Sequence, residues 1–183
     1  MNVDQAFSEE SSASPSDWHF GGFLDLSYEL DFNFPENHLW RSKSTTRRVN
    51  EPVPNMVLGY IRKDISQSSR WGVEFGVQGG YDTDALVPEP DPGREKPVAG
   101  ADTLRHFSRA NVTYLVPVGN GLTVTAGLFN SYIGYQSIYS KFNLNYTRTY
   151  MADNAPYFMF GLGGTYPVNE AWRSWLRWSC DIL

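Results

Sequence analysis

The 183-residue chain holds a single cysteine, Cys180, which excludes an intramolecular disulfide and a cysteine-built zinc site. It has no apolar run near the ~18 residues of a membrane-spanning helix, an absence that leaves spanning strands open because these are short and only half apolar. Basic charge is sparse: 15 Lys and Arg stand against 20 Asp and Glu, and they are scattered, so nucleic acid is not an expected partner. The opening MNVDQAFSEESSASPSDW contains no Lys or Arg and no apolar core, so it does not read as a signal peptide. Residues 1–19, Ser-rich and acidic, are expected to be a flexible leader. With 41% hydrophobic content the remainder can bury one core, and one domain over 20–178 is expected, with 179–183 as a tail.

What the sequence does have is alternation. In GGFLDLSYELDFN, residues 21–33, Leu24, Leu26, Tyr28, Leu30 and Phe32 alternate with Asp25, Ser27, Glu29 and Asp31. Residues 69–82 set Trp71, Val73, Phe75 and Val77 against Gly72, Glu74, Gly76 and Gln78. Residues 103–116 set Val112 and Tyr114 against Arg105, Arg109, Asn111 and Thr113, and 122–128 set Leu122, Val124, Ala126 and Leu128 against Thr123 and Thr125. In 155–166, Phe158, Phe160 and Leu162 share a face. These period-two patterns predict β-strands, joined by weaker ones at 56–65 and 172–178. Almost no helix is expected.

The connections alternate too. Long polar segments follow the first, third and fifth strands, and tight links at SQSSR, PVGNG and PVNEA follow the second, fourth and sixth. Long structureless loops are uncommon in compact soluble domains. Short turns at one end and long loops at the other belong to outer-membrane barrels. Aromatic residues near the strand ends (Tyr28, Phe32, Trp71, Tyr81, Tyr114, Tyr166, Trp172, Trp178) suit interfacial girdles, and glycine at 72, 76, 127, 161 and 163 suits a curved wall with lumen space.

The expected fold is therefore all-β, an antiparallel up-and-down transmembrane barrel. Its carboxylates at 25, 29 and 31 would stay hydrated in a lumen, whereas burying them unpaired would cost several kcal/mol each. A soluble antiparallel sheet with one wet face gives the same alternation.

Other constellations carry less. Asp25, Glu29 and Asp31 share one strand face, which reads as solvated rather than as a metal or acid/base cluster. His19, His38 and His106 lack ligand spacing, so no metal is expected. GLGGTY precedes no helix, which argues against a phosphate loop. The sequons at Asn111 and Asn145 are not expected to be glycosylated. No nucleophile, base and orienting group converge, so no enzyme and no cofactor are expected. Arg41, Lys43, Arg47 and Arg48 cluster in the first long loop, where they could meet lipopolysaccharide or anionic solutes. The Tyr-rich stretch 132–150 is the long loop least suited to free solvent and is expected to fold inward.

At RANVTYLVPVGNGLTVTAGLFNSYIGYQSI, residues 109–138, and NLNYTRTYMADNAPYFMFGLGGTYPVN, residues 143–169, the chain resembles the outer-membrane β-barrel porins of the OmpL-like type. The resemblance spans most of 20–170. It implies a Gram-negative outer-membrane barrel that passes small polar solutes by diffusion and has no catalytic residues. The family pattern of Gly-Lys-Phe followed by Gly-Tyr-Glu reads here Gly127, Leu128, Phe129 and Gly134, Tyr135, Gln136, so neither of its charges is present. The chain reads as an incomplete, N-terminal portion of such a barrel, with about seven strands where single-chain barrels have an even number.

On this reading Asp25, Ser27, Glu29, Asp31, Glu74, Gln78, Arg105, Arg109, Asn111, Thr113, Thr123 and Thr125 line the path. Leu24, Leu26, Tyr28, Leu30, Trp71, Val73, Phe75, Val77, Val112, Tyr114, Val124, Phe158, Phe160 and Leu162 face lipid. The expected partners are the lipid bilayer, lipopolysaccharide and small polar solutes, with an oligomer left open. An adhesin working through its long loops, or a soluble β-sheet ligand binder, are the competing readings.

Overall fold

The computed structural model describes residues 18–40, 43–66, 68–86, 100–131, 133–168 and 173–181, the last stretch for its backbone alone. Seven strands form one sheet in sequence order: β1 Trp18–Tyr28, β2 Pro52–Lys63, β3 Trp71–Gly79, β4 Phe107–Val116, β5 Leu122–Asn130, β6 Phe158–Pro167 and β7 Arg173–Asp181. Every neighbouring pair is antiparallel. This is an all-β up-and-down meander, and among the described residues it is open, with β1 and β7 as its edges. In a seven-stranded meander the edges run the same way, so antiparallel closure needs an odd number of further strands.

Several boundaries differ from those expected. Trp18 and His19, placed in the expected leader over 1–19, belong to β1, and residues 1–17 lie outside the described residues. β7 runs to Asp181, three residues into the expected tail. β1 stops at Tyr28 rather than near Phe32, because the next residues turn: Asp31 accepts the Asn33 amide at 2.9 Å, and its own amide donates to the Asn50 side chain at 2.9 Å. Arg105 and His106 precede β4, in the turn after a helical turn at Ala101–Leu104. Trp172 lies outside the described residues, as do 87–99 in the Pro-rich segment.

Two bulges shape the inner face. Asp25 pairs with Met56 and Leu26 with Pro54, so Asn55 is extra; Gly76 pairs with Arg109 and Val77 with Phe107, so Ser108 is extra. An extra residue puts two successive side chains on one side of the strand. Asn55 and Met56 are accordingly both buried, as are Ser108 and Arg109.

Gly76 and Gly127 serve close approach of neighbouring strands. A Cβ on Gly76 would lie 2.2 Å from the Ser108 hydroxyl, and one on Gly127, whose φ is +124°, would lie 2.2 Å from the Ala110 carbonyl oxygen. The tight link between β4 and β5 uses Gly119 and Gly121 at positive φ, and the Tyr166 hydroxyl accepts the Asn120 amide at 3.3 Å.

The buried core lies on the inner side, not between two sheets. Met56, Leu58, Leu86, Leu128, Ile138, Tyr139 and Phe158 form it, flanked by Phe23, Tyr60, Phe107, Phe142 and Tyr157. Phe158 was expected to face lipid; it is fully buried, because it is the first residue of β6 and closes the base of the core where the third long connection enters the sheet.

Candidate functional site

The outer face is apolar across the described strands. The register places Leu24 beside Val57, Val73 beside Val112, Trp71 beside Tyr114, Tyr114 beside Val124, and Ala126 beside Leu162. Phe20, Leu24, Leu26, Val57, Phe75, Val77, Val112, Phe160 and Leu162 are all exposed, Phe20 at 74% and Leu26 at 65%. Val73 and Val124, from the same expected set, are half-buried, and Leu30 is exposed but lies beyond the end of β1. Water would penalise a band of this extent at roughly 25 cal/mol per Å², and monomeric soluble proteins rarely carry one. Trp18, Trp71 and Tyr114 stand at the short-turn end of this band and Tyr28 and Tyr81 at the long-loop end, all exposed. Among the described residues no helix is long and apolar enough to cross a membrane.

The inner face is polar but far from bare. Glu74 and Arg109, on neighbouring strands, form an ion pair at 2.9 Å, and the Asn111 amide donates to Glu74 at 3.2 Å and to the Leu128 carbonyl at 3.1 Å. Gln78 donates to the Arg105 carbonyl at 2.9 Å, and Arg105 pairs with Asp84 at 3.3 Å. The hydroxyls of Thr113 and Thr125 are 3.1 Å apart. These expected lining residues are thus joined to one another, and Asp25, Gln78, Arg109 and Asn111 are buried rather than wet. Thr113, Thr123 and Thr125 stay half-exposed. Asp31 lies apart, in the turn after β1.

What covers the inner face is the third long connection, the Tyr-rich stretch expected to turn inward. Its neck is tied where Gln136 accepts the Thr149 amide at 2.7 Å and hydroxyl at 2.9 Å. Asn143 closes the loop on itself, accepting the Ser137 amide at 2.9 Å and donating to the Ser137 carbonyl at 2.8 Å. Its tip is a 3-10 turn, Ser140–Phe142. From there the Ser140 hydroxyl donates to Asp25, the Tyr146 hydroxyl donates to Asp25 at 2.7 Å, and the Tyr139 hydroxyl donates to Gln78 at 3.0 Å. Asn55, displaced inward by its bulge, donates to Tyr146 at 2.8 Å and to Ser27 at 2.7 Å. Tyr139 also packs edge-on against Phe23 with ring centroids 5.5 Å apart. Lys141, exposed on the tip, lies over the Phe23 and Phe142 rings.

A second anchor sits nearer the long-loop end. Arg148 is fully buried and pairs with Asp82 at 2.7 Å, on a helical turn, Tyr81–Asp84, that follows β3. Asp82 also accepts the Thr46 amide at 2.6 Å. Burial pushes the Asp82 carboxyl up, and Arg148 and the Thr46 amide draw it back. The first long connection joins in: Lys43 donates to the Arg148 carbonyl, and Thr45 donates to Asp153 at 2.6 Å. Lys43 and Arg48, expected as a basic mouth, are engaged within the molecule, Arg48 with Glu51. Arg41 lies outside the described residues.

Glu29, just past the end of β1, faces this anchor. Both its carboxylate oxygens are buried without a hydrogen-bond partner among the described residues. Desolvation, then the neighbouring Asp82, raises its pKa to about 7 against the pull of Lys43 and Arg148. Sequence reasoning missed Arg148, Asp82 and Tyr146; the only signal was the tyrosine content of the loop, since their partners are distant in sequence.

An apolar outer band, aromatic ends, a polar inner face and an inward long loop are the parts of a porin. The family model described as "Putative beta-barrel porin-2, OmpL-like" matches residues 17–178. The chain belongs to this family. No curated protein and no solved structure matches it. Strands β1 to β6 of this OmpL-like porin, the inward loop and β7 as far as Trp178 fall within the matched span.

Proposed function

We propose that this porin forms part of the wall of a passive diffusion channel for small polar solutes in a bacterial outer membrane, with the loop at 136–149 as its constriction. The exposed apolar band backed by a polar inner face carries this reading, since lipid on one side and water on the other is the environment in which neither face is penalised. Arg105, Arg109, Glu74 and Asp25 are spent in internal bonds. The open path then runs along the uncharged hydroxyls of Thr113, Thr123 and Thr125, which stay half-exposed. Lipid contacts fall to Leu24, Leu26, Phe75, Val77, Val112, Phe160 and Leu162. No covalent step is involved; the wall acts by width, hydrogen bonding and field. Electrical recording in a planar bilayer tests the reading: discrete conductance steps are expected, and a protein that folds and stays monodisperse without detergent and ignores liposomes refutes it.

A further inference from the structure

Two carboxylates hold the inward loop over the inner face, and a third stands beside them without a bond to it. Asp25 is saturated, accepting from Ser140 and Tyr146. Asp82 is paired with Arg148 and with the Thr46 amide. Glu29 is the odd one, its two oxygens buried and without a hydrogen-bond partner among the described residues. The charged groups that act on it are Asp82 on the helical turn after β3, Lys43 on the first long connection, Arg148 on the loop itself and Asp25 on β1. A neutral carboxylic acid can rest at this position. An ionised one lacks hydrogen-bond donors among the described residues and is desolvated and repelled by Asp82 and Asp25, which the pull of Lys43 and Arg148 offsets only in part.

We propose that Glu29 is a proton-operated latch: protonated, it lets the loop at 136–149 stay docked across the inner face, and ionised, it releases the loop and widens the path. The inference rests on the channel reading above. Its sign follows from linkage. The docked state holds the Glu29 proton more tightly, with a pKa near 7, than a released, hydrated carboxyl at its ordinary 4.5. Docking is therefore fully favoured below that ordinary value and is lost progressively as pH rises towards and through about 7.

The test uses the detergent-folded protein, its fold verified by circular dichroism, with two readouts. In planar bilayers of zwitterionic lipid, conductance should rise as the bath is taken from about pH 5 to about pH 8. Glu29→Gln, which mimics the neutral acid, should hold the low level throughout. In parallel, hydrogen-exchange protection factors for amides in 137–148, which already correct for the intrinsic pH dependence of exchange, should fall over the same range in the natural protein and stay flat in Glu29→Gln. Conductance with no pH dependence, or a pH dependence that survives in Glu29→Gln, overturns the latch and leaves the channel standing. Loss of protection with pH that Glu29→Gln abolishes, with no conductance at any pH, supports the latch and sinks the channel. Should Glu29→Gln not fold, protection factors of the natural protein that do not change between those limits still overturn the proposal.

Discussion

Arg148 and Asp82, at 2.7 Å and both buried, tie a loop that hangs from β5 and β6 to the turn that follows β3, bridging the inner face of the sheet. A buried pair is most sensitive to losing one member, because the other is left charged without compensation. Arg148→Met is expected to destabilise the folded protein by about 3–5 kcal/mol, read as the shift in its denaturant midpoint in detergent micelles. Adding Asp82→Leu to that variant should restore much of the loss; a double variant no more stable than Arg148→Met refutes the pairing as an energetic link.

Asp25 holds the loop tip by accepting from Ser140 and Tyr146. Asp25→Ala leaves both hydroxyls seeking partners and should cost about 1–3 kcal/mol, with faster proteolytic nicking in 137–148 and a larger conductance. Unchanged nicking would mean that the loop is held elsewhere.

Val112 and Thr113 are neighbours on β4 that face opposite ways, Val112 exposed in the outer band and Thr113 beside Thr125. On the channel reading proposed above, Val112→Arg would place a charge in hydrocarbon near mid-strand, at an expected cost of about 2–4 kcal/mol. Thr113→Arg places it in the lumen and should cost far less while lowering conductance to cations. Folding free energies of the two variants into lipid vesicles measure the difference; equal penalties would contradict the assignment of faces.

Gly127 combines φ of +124° with the Ala110 carbonyl 2.2 Å from where a Cβ would stand. Gly127→Val is expected to disrupt the β4 and β5 pairing and lower stability by about 1–3 kcal/mol, detectable as lost amide protection in Asn111 and Val112. Protection equal to that of the natural protein would show that the backbone there can shift freely.

The sequence by itself determined the strands, their faces and the alternation of short and long connections. Side-chain alternation is a local, period-two property of the pleated backbone, so Trp71 to Gln78 could be read without knowing any partner. It failed where the backbone breaks that period: at Asn55 and Ser108, where bulges add a residue, and after Tyr28, where hydrogen bonds to Asp31 turn the chain. Only the tertiary structure decided what the inner face meets. Ser140 and Asp25 are 115 positions apart, and Tyr139 and Gln78 are 61 apart, so no local pattern announces either contact. Asp25 and Gln78, which read as part of a wet wall, seat a folded-in loop, because a buried carboxylate is tolerated where distant hydroxyls arrive to satisfy it.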